Sequence, residues 1–148
     1  AAVALRRFSL MTVADAALSV HRLVQQVVRD GMDDDARQRW WECAVRLLHN
    51  AMPTDIATNP DVWPACGRLL PNVRAVTEID TEPGSAADAV GDILNGAGVY
   101  LYVRAQFSEA AEMSRKAVQI GESAHGPEHP TVATRVNNLG IVRAAQGI

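Results

Sequence analysis

The sequence predicts a mainly α-helical protein built from stacked helical hairpins. Hydrophobic residues make up 48% of the 148 residues but aromatic residues only 5%, a composition that suits closely packed helices. Apolar residues recur at spacings of three and four along most of the chain. The C-terminal part also matches itself at a fixed offset, which is typical of solenoids, whose units bury their apolar faces only against neighbours.

The internal match has an offset of 42 residues. It places Asn95 on Asn137, Gly98 on Gly140 and Ala105 on Gly147. The pattern predicts helices over residues 87–103, 108–124 and 131–145, with the sequence HGPEHP interrupting the last two. Glycine costs stability inside a helix, so Gly98 predicts a close contact between helices.

The N-terminal residues predict a short β-hairpin followed by a helix. Polar and apolar residues alternate near 6–12, and residues 18–20 repeat the pattern after a weak turn. The helix has an apolar face, and Gly31 stands where a left-handed C-terminal cap is expected. That face is formed by Val20, Leu23, Val24, Val27 and Val28.

A second helix is predicted to begin at the run Asp33-Asp34-Asp35, whose carboxylates suit a helix N-terminus, and to end at Pro53. Its predicted buried face consists of Ala36, Trp40, Cys43, Ala44, Leu47, Leu48 and Ala51. A loop follows over 52–60, and residues 61–79 are again helical, with Pro71 predicting either a kink or a division into two helices. Trp40 and Trp63 are expected in the core rather than in an aromatic ligand cage.

Composition excludes several classes of function. With 14 Lys and Arg against 17 Asp and Glu, the net charge of -3 does not favour a nucleic-acid partner. Cys43 and Cys66 are expected to be inert small hydrophobes in a reducing cytoplasm, and no apolar run is long enough to span a membrane.

No serine lies in a nucleophile elbow, and no enzyme is expected. No bound cofactor is expected either. His125 and His129 are four residues apart, but Gly126 and Pro127 break the helix that would align them on a metal.

The C-terminal part resembles tetratricopeptide repeats, in particular the longer repeats of the kinesin-light-chain type. The resemblance covers about one and a half repeats within residues 84–148 and includes the linker sequence GPEHP. Ser114 and Arg143 depart from the pattern. The matching residues are Gly98, Phe107, Ala110, Ala117, the run Asn137-Asn138-Leu139-Gly140, and Gly147. The resemblance implies a solenoid whose concave face binds a protein or peptide, and whose uncovered end could self-associate.

Five residues are candidates for partner binding. Asp92, Asn95 and Tyr102 fall on one face of their helix, and Asn137 and Asn138 occupy the next repeat. An amide side chain pairs with both the donor and the acceptor of a peptide group, and in kinesin-light-chain-like repeats such asparagines bind an extended backbone. The alternative is that these asparagines cap or bridge neighbouring helices, and the sequence leaves both open.

The N-terminal part resembles the end of the winged-helix subdomain of bacterial signal-transduction ATPases of the STAND class, the NB-ARC type that carries tetratricopeptide arrays. The resemblance lies in the sequences FSL at residues 8–10 and LSVHRLVQ at 18–25, while WP at 63–64 and LLP at 69–71 resemble the helical connector of that class. In that family a Met-His-Asp motif contacts the β-phosphate of ADP, and His21 occupies the position of its histidine, between Val20 and Arg22. The alternative for His21 is a capping or packing role.

Together these observations predict three segments: the end of a winged helix over 1–31, a helical connector over 32–83 and the repeats over 84–148. The expected function is a non-catalytic regulatory segment of a STAND ATPase that senses a protein or peptide. A constitutive scaffold for protein partners is the alternative, and DNA binding through Arg6 and Arg7 is a third hypothesis. No phosphate-binding loop occurs in this sequence, so any contact of His21 with ADP requires the full-length ATPase.

Overall fold

The computed structural model describes residues 11–14, 17–79 and 83–147, and most of them are helical. Contacts divide the chain into two compact units, residues 1–40 and 41–148. No helix in the described ranges is both long and apolar enough to cross a lipid bilayer.

The first unit contains a two-stranded antiparallel sheet and a helix. Strands β1 (Met11–Ala14) and β2 (Ala17–Val20) pair with Met11 opposite Val20, and helix α1 covers Arg22–Asp30. Most of the strand predicted over 6–12 lies outside the described residues. The side-chain amide of Gln25 donates to the Val20 carbonyl at 2.8 Å, which joins the end of β2 to the first turns of α1.

One of the two expectations about α1, the left-handed cap, was wrong. Its apolar stripe is present, but no side chain of the helix is buried, and Leu23 and Val27 are largely exposed. Gly31 has φ −86°, in the right-handed region, rather than the predicted left-handed cap. Its N–H donates to the Val27 carbonyl at 3.1 Å, so the helical bonding simply continues into the cap residue.

Helix α2 covers Asp34–Ala51, close to its predicted bounds. The Asp33 carboxylate accepts the Ala36 N–H at 2.6 Å, which confirms the predicted N-terminal cap. The buried face is shifted by one residue from the prediction, because Trp41 is 5% exposed whereas Trp40 is 65% exposed. Cys43, Leu47 and Ala51 are exposed as well, so the core prediction was wrong for Trp40, Cys43, Leu47 and Ala51.

Helix α3 covers Trp63–Thr77 as one helix that runs through Pro71, so the alternative of two short helices was wrong. A 3-10 turn, Pro60–Val62, precedes it. The buried side chains are those of Cys66, Leu70, Val73 and Val76. Burial raises the pKa of the Cys66 thiol, in keeping with an inert role, while Trp63 is half-buried.

The remaining helices form the packed hairpin array of the second unit. Helix α4 covers Ala87–Val103, α5 covers Phe107–His125 and α6 covers Pro130–Gln146, within two residues of the predicted bounds. A 3-10 turn, Gly84–Ala86, leads into α4. The core of this unit is centred on α4, whose Ile93, Leu94 and Leu101 are fully buried. The second unit is therefore mainly helical.

Two features relate α4 to α6. Gly98 of α4 is in the predicted close contact, since a Cβ there would lie 2.6 Å from the Ser114 hydroxyl of α5. At the matched position Gly140, nothing lies within 4 Å. Ala105 and Gly147, which also match, both have positive φ, 58° and 78°, after the ends of their helices. The helices therefore end in the same left-handed turn.

Candidate binding groove

A groove of about 470 Å³ opens on the second unit. Its walls come from the end of α2 with the loop that follows, from α4 and from one residue of α6. We call this feature the groove. Its lining residues are His49, Met52, Pro53, Thr54, Ile56, Ala57, Asp92, Ile93, Asn95, Gly96, Val99 and Asn138.

The loop after α2 forms a fixed wall of the groove. Ile56 is buried, and its carbonyl accepts the indole N–H of Trp63 at 2.9 Å. Asp55 accepts the side-chain amide of Asn59 at 2.7 Å, which closes the turn before α3. Gly96 permits the close approach of this loop, because a Cβ there would lie 3.2 Å from Cγ of Met52.

Asn95 and Asn138 meet at the groove and join α4 to α6. The Nδ2 of Asn138 donates to Oδ1 of Asn95 at 2.9 Å, so these two asparagines do bridge neighbouring helices. The bond uses one donor of Asn138 and one acceptor of Asn95. The Oδ1 of Asn138 and the Nδ2 of Asn95 have no partner among the described residues. This pair therefore presents one acceptor and one donor group beside the groove.

The Asp92 carboxylate contacts side chains of two other helices. One carboxylate oxygen lies 3.2 Å from Nε2 of His49 in α2, and the other lies 2.9 Å from Nη2 of Arg135 in α6. The Arg135 side chain is 2% exposed. Its charge thus balances the carboxylate of Asp92 from inside the protein.

Arg135 is a structural residue that sequence reasoning missed. Its guanidinium also donates to the carbonyls of Asp88 and Ala117, both at 3.4 Å. Gly91 and Gly121 flank it, and a Cβ at either position would collide with the guanidinium. A signal was present in the sequence, because the 42-residue shift places Arg135 on the apolar Ile93. A charge at a core position together with facing glycines indicates a buried cation.

The remaining predicted partner residues lie near the groove or apart from it. Tyr102 is half-buried, with its ring 5.9 Å from that of Phe107, and it lines a smaller pocket that also includes Asn138. Asn137 is exposed and lines neither cavity. Adjacent residues of a helix are about 100° apart, so only one of the two asparagines can face α4.

His21 lies at the start of α1 in the first unit. It is exposed, and its Nδ1 accepts the N–H of Leu23 at 3.2 Å, so the imidazole caps the helix. Its Nε2 has no partner among the described residues. The nucleotide contact that the STAND resemblance implies stays a prediction.

His125 and His129 stack on each other at the turn between α5 and α6, with ring centroids 4.4 Å apart. Nε2 of His125 lies 2.6 Å from Oδ1 of Asp88, and Nδ1 of His129 accepts the N–H of Thr131 as the cap of α6. The hydrogen bond from His125 lowers the pKa of the Asp88 carboxyl. Within the described ranges, no three His, Cys, Asp or Glu side chains are grouped as a metal site.

Comparison with known families gives one match within this unit. Residues 90–131 match the tetratricopeptide repeat family, a range that runs from α4 through α5 to the start of α6. Comparisons with curated proteins and with solved structures find no significant match. The chain therefore carries a tetratricopeptide repeat region, a non-catalytic motif that typically mediates protein–protein interaction.

Proposed function

We propose that the groove binds an extended segment of a protein partner. The observation that carries this proposal is the Asn95–Asn138 pair, which leaves one amide acceptor and one amide donor at the groove. A peptide group offers one N–H and one carbonyl, so an extended strand satisfies both side chains together. Met52 and Val99, which line the groove and are partly exposed, supply apolar surface beside this pair.

The charges of the groove favour an uncharged peptide segment over a strongly charged ligand. Asp92 is the only carboxylate among the lining residues, and Arg135 balances it. Peptide recognition would then rest on hydrogen bonds and apolar contact rather than on ion pairing.

A peptide selection experiment tests this proposal. Random linear peptides are selected on the 148-residue chain, and the tightest binder is measured by calorimetry against the double variant Asn95→Ala, Asn138→Ala. We expect at least a tenfold loss of affinity, because the backbone groups of the ligand lose their partners on binding. Asn137→Ala is the matched control and should bind like the parent chain. Equal affinity for the double variant would refute the proposal, provided that its thermal unfolding shows a folded chain.

The wider role that we propose is regulatory. The resemblance of residues 8–10 and 18–25 to a STAND winged helix, followed by a tetratricopeptide region, supports a segment that senses a partner for an ATPase. Ligand binding would shift the ATPase between inactive and active states, which requires a ligand that binds the two states with unequal affinity. The proposed segment is itself non-catalytic, takes no cofactor of its own and binds no nucleic acid. A cytoplasmic location is consistent with the free, exposed thiol of Cys43.

His21 distinguishes this role from a constitutive scaffold. In the full-length protein, His21→Ala should accelerate ADP release if the imidazole contacts the nucleotide. His21→Asn is the informative second variant, because asparagine caps a helix well but lacks the imidazole. Faster release in both variants supports the nucleotide contact. Faster release in His21→Ala alone assigns the effect to capping, and unchanged release in both favours the scaffold.

We also propose weak self-association through α6. Val136 is 47% exposed and Gly140 has open space, whereas at the matched positions of α4 Leu94 is fully buried and Gly98 lies against α5. Sedimentation analysis should show concentration-dependent dimers that Val136→Gln weakens. A chain that stays monomeric at high concentration would contradict this proposal.

A further inference from the structure

A small side pocket of about 110 Å³ opens between α4, α5 and α6. Val99, Ile141 and Val142 form its apolar walls, and Tyr102 lies at its edge. The pocket shares Ala57, Val99 and Asn138 with the groove, so the two cavities adjoin at Asn138. A ligand residue held at Asn138 through its backbone therefore has a place for its side chain.

The lining chemistry selects an uncharged occupant. None of the lining residues carries a charge, so an ionic side chain would lose its hydration without gaining a partner. The polar side-chain groups of the lining are the amide of Asn138, the phenol of Tyr102 and the hydroxyl of Ser114, a residue that is 1% exposed. Apolar walls therefore dominate the contact with any occupant.

The volume of the pocket selects a small occupant. An apolar cavity of roughly 150 Å³ is known to hold one benzene ring. At about 110 Å³ the side pocket is smaller than that. The side pocket therefore suits a branched aliphatic side chain better than the larger phenyl or indole ring.

We propose that the side pocket is a specificity site for the side chain of a valine, leucine or isoleucine in the bound segment. This inference rests on the proposed function, because the backbone of that residue is held by Asn95 and Asn138. It adds the chemical class of the ligand: a neutral peptide with a branched aliphatic anchor at the residue next to the asparagine pair.

Blocked amino acids serve as probes in a nuclear magnetic resonance titration of the whole chain. N-acetyl-leucine N-methylamide should shift the backbone amide signals of Ser114 and Val142 and the side-chain signals of Asn95 and Asn138. It should bind about tenfold more tightly than the glycine probe, since a buried leucine side chain contributes roughly that factor. The phenylalanine and lysine probes should show no gain over glycine.

Two substitutions of exposed aliphatic residues provide a matched pair. Ile141 is 46% exposed and lines the side pocket, whereas Leu47 of α2 is 66% exposed and does not. Ile141→Lys should abolish the preference for leucine over glycine, and Leu47→Lys should leave it unchanged.

The probes separate failure of this inference from failure of the proposed function. If every probe shifts the asparagine signals but leucine has no advantage, the side pocket is not a specificity site and the groove proposal stands. Equal gains for phenylalanine, or a leucine preference that survives in Ile141→Lys, would also overturn the inference. If no probe shifts the asparagine signals, both proposals fail.

Discussion

Arg135 places a permanent positive charge inside the unit formed by residues 41–148. Its guanidinium is enclosed by Gly91 and Gly121, and its only carboxylate partner in the described structure is Asp92. Asp92 is half exposed, so the two members of this ion pair have unequal access to water. Loss of the carboxylate leaves a buried charge without a counterion, whereas loss of the guanidinium leaves a carboxylate that water can solvate.

Single substitutions in this pair should therefore have unequal effects on stability. We expect Asp92→Ala to lower the free energy of unfolding by about 3 kcal/mol, since it isolates a buried cation. Arg135→Met should change it by less than about 1 kcal/mol, because methionine removes the charge and fills most of the space. Urea unfolding followed by circular dichroism measures both values.

The double variant Asp92→Ala, Arg135→Met provides the control for this asymmetry. It should be no less stable than Arg135→Met alone, because the isolated charge is gone. A double variant as unstable as Asp92→Ala would show that the carboxylate stabilises the protein through contacts other than Arg135.

A second prediction at the residue scale concerns Asp88 and His125. The hydrogen bond from His125 lowers the pKa of Asp88 in the folded protein. A carboxyl group whose pKa is lowered in the folded state stabilises the fold at every pH above its ordinary pKa of about 4. This contribution is lost as the pH falls from about 4 through the lowered pKa. Asp88→Asn should therefore be less stable than the parent chain at pH 6, by under about 1 kcal/mol because Asp88 is exposed to screening.

Unfolding measured between pH 6 and pH 3 tests this prediction. The difference between the parent chain and Asp88→Asn should shrink as the pH falls through the acid range. A difference that is constant with pH would mean that the Asp88 carboxylate is not stabilised by His125. Glu122→Gln is a suitable control, since Glu122 is exposed and lies near the same end of α5 as His125.

At the scale of elements, helix bounds were easier to predict than helix faces. Asp33, Pro53 and Pro130 mark helix ends through local chemistry, and the structure places α2 and α6 close to those marks. The face of α2 depends on which of two adjacent tryptophans is buried. Trp41 rather than Trp40 is buried because its indole N–H donates to the Val76 carbonyl at the end of α3. This contact joins residues far apart in sequence and has no local sequence signal.

Alanine substitutions at the matched glycines of α4 and α6 are expected to change the stability of the chain in opposite directions. Gly98→Ala should destabilise the chain by about 1–3 kcal/mol, because the new Cβ would lie 2.6 Å from the Ser114 hydroxyl. Gly140→Ala should stabilise it by about 0.5–1 kcal/mol, because α6 gains helix propensity and no atom lies within 4 Å. Thermal or urea unfolding of both variants measures the two changes.

Ser114→Ala tests the cause of the first change. In the Gly98→Ala background it removes the hydroxyl that collides with the new Cβ, and it should recover part of the lost stability. If the double variant is as unstable as Gly98→Ala, the cost arises from the spacing of the α4 and α5 backbones rather than from that hydroxyl.

At the scale of the whole molecule, the repeat predicted that α4 and α6 contribute to one binding face, but not which other segments line the groove. The 42-residue match pairs Asn95 with Asn137, whereas the structure brings Asn95 to the neighbouring Asn138. The loop wall could not be predicted, because the contact of Gly96 with Met52 joins residues far apart in sequence. Such contacts leave no periodic signal, so sequence patterns identify the array but only part of its binding surface.

Burial along the chain predicts a gradient of local stability that hydrogen exchange can measure. Seven side chains or glycines of α4 are buried, whereas no residue of α1 is buried. Amides exchange slowly where opening must expose a packed core and rapidly where a helix can open alone. The amides of α4 around Leu94 should therefore exchange slowest, at rates set by global unfolding, and those of α1 around Val27 should exchange fastest among the helices. Protection of α1 equal to that of α4 would show instead that its apolar stripe is covered in solution.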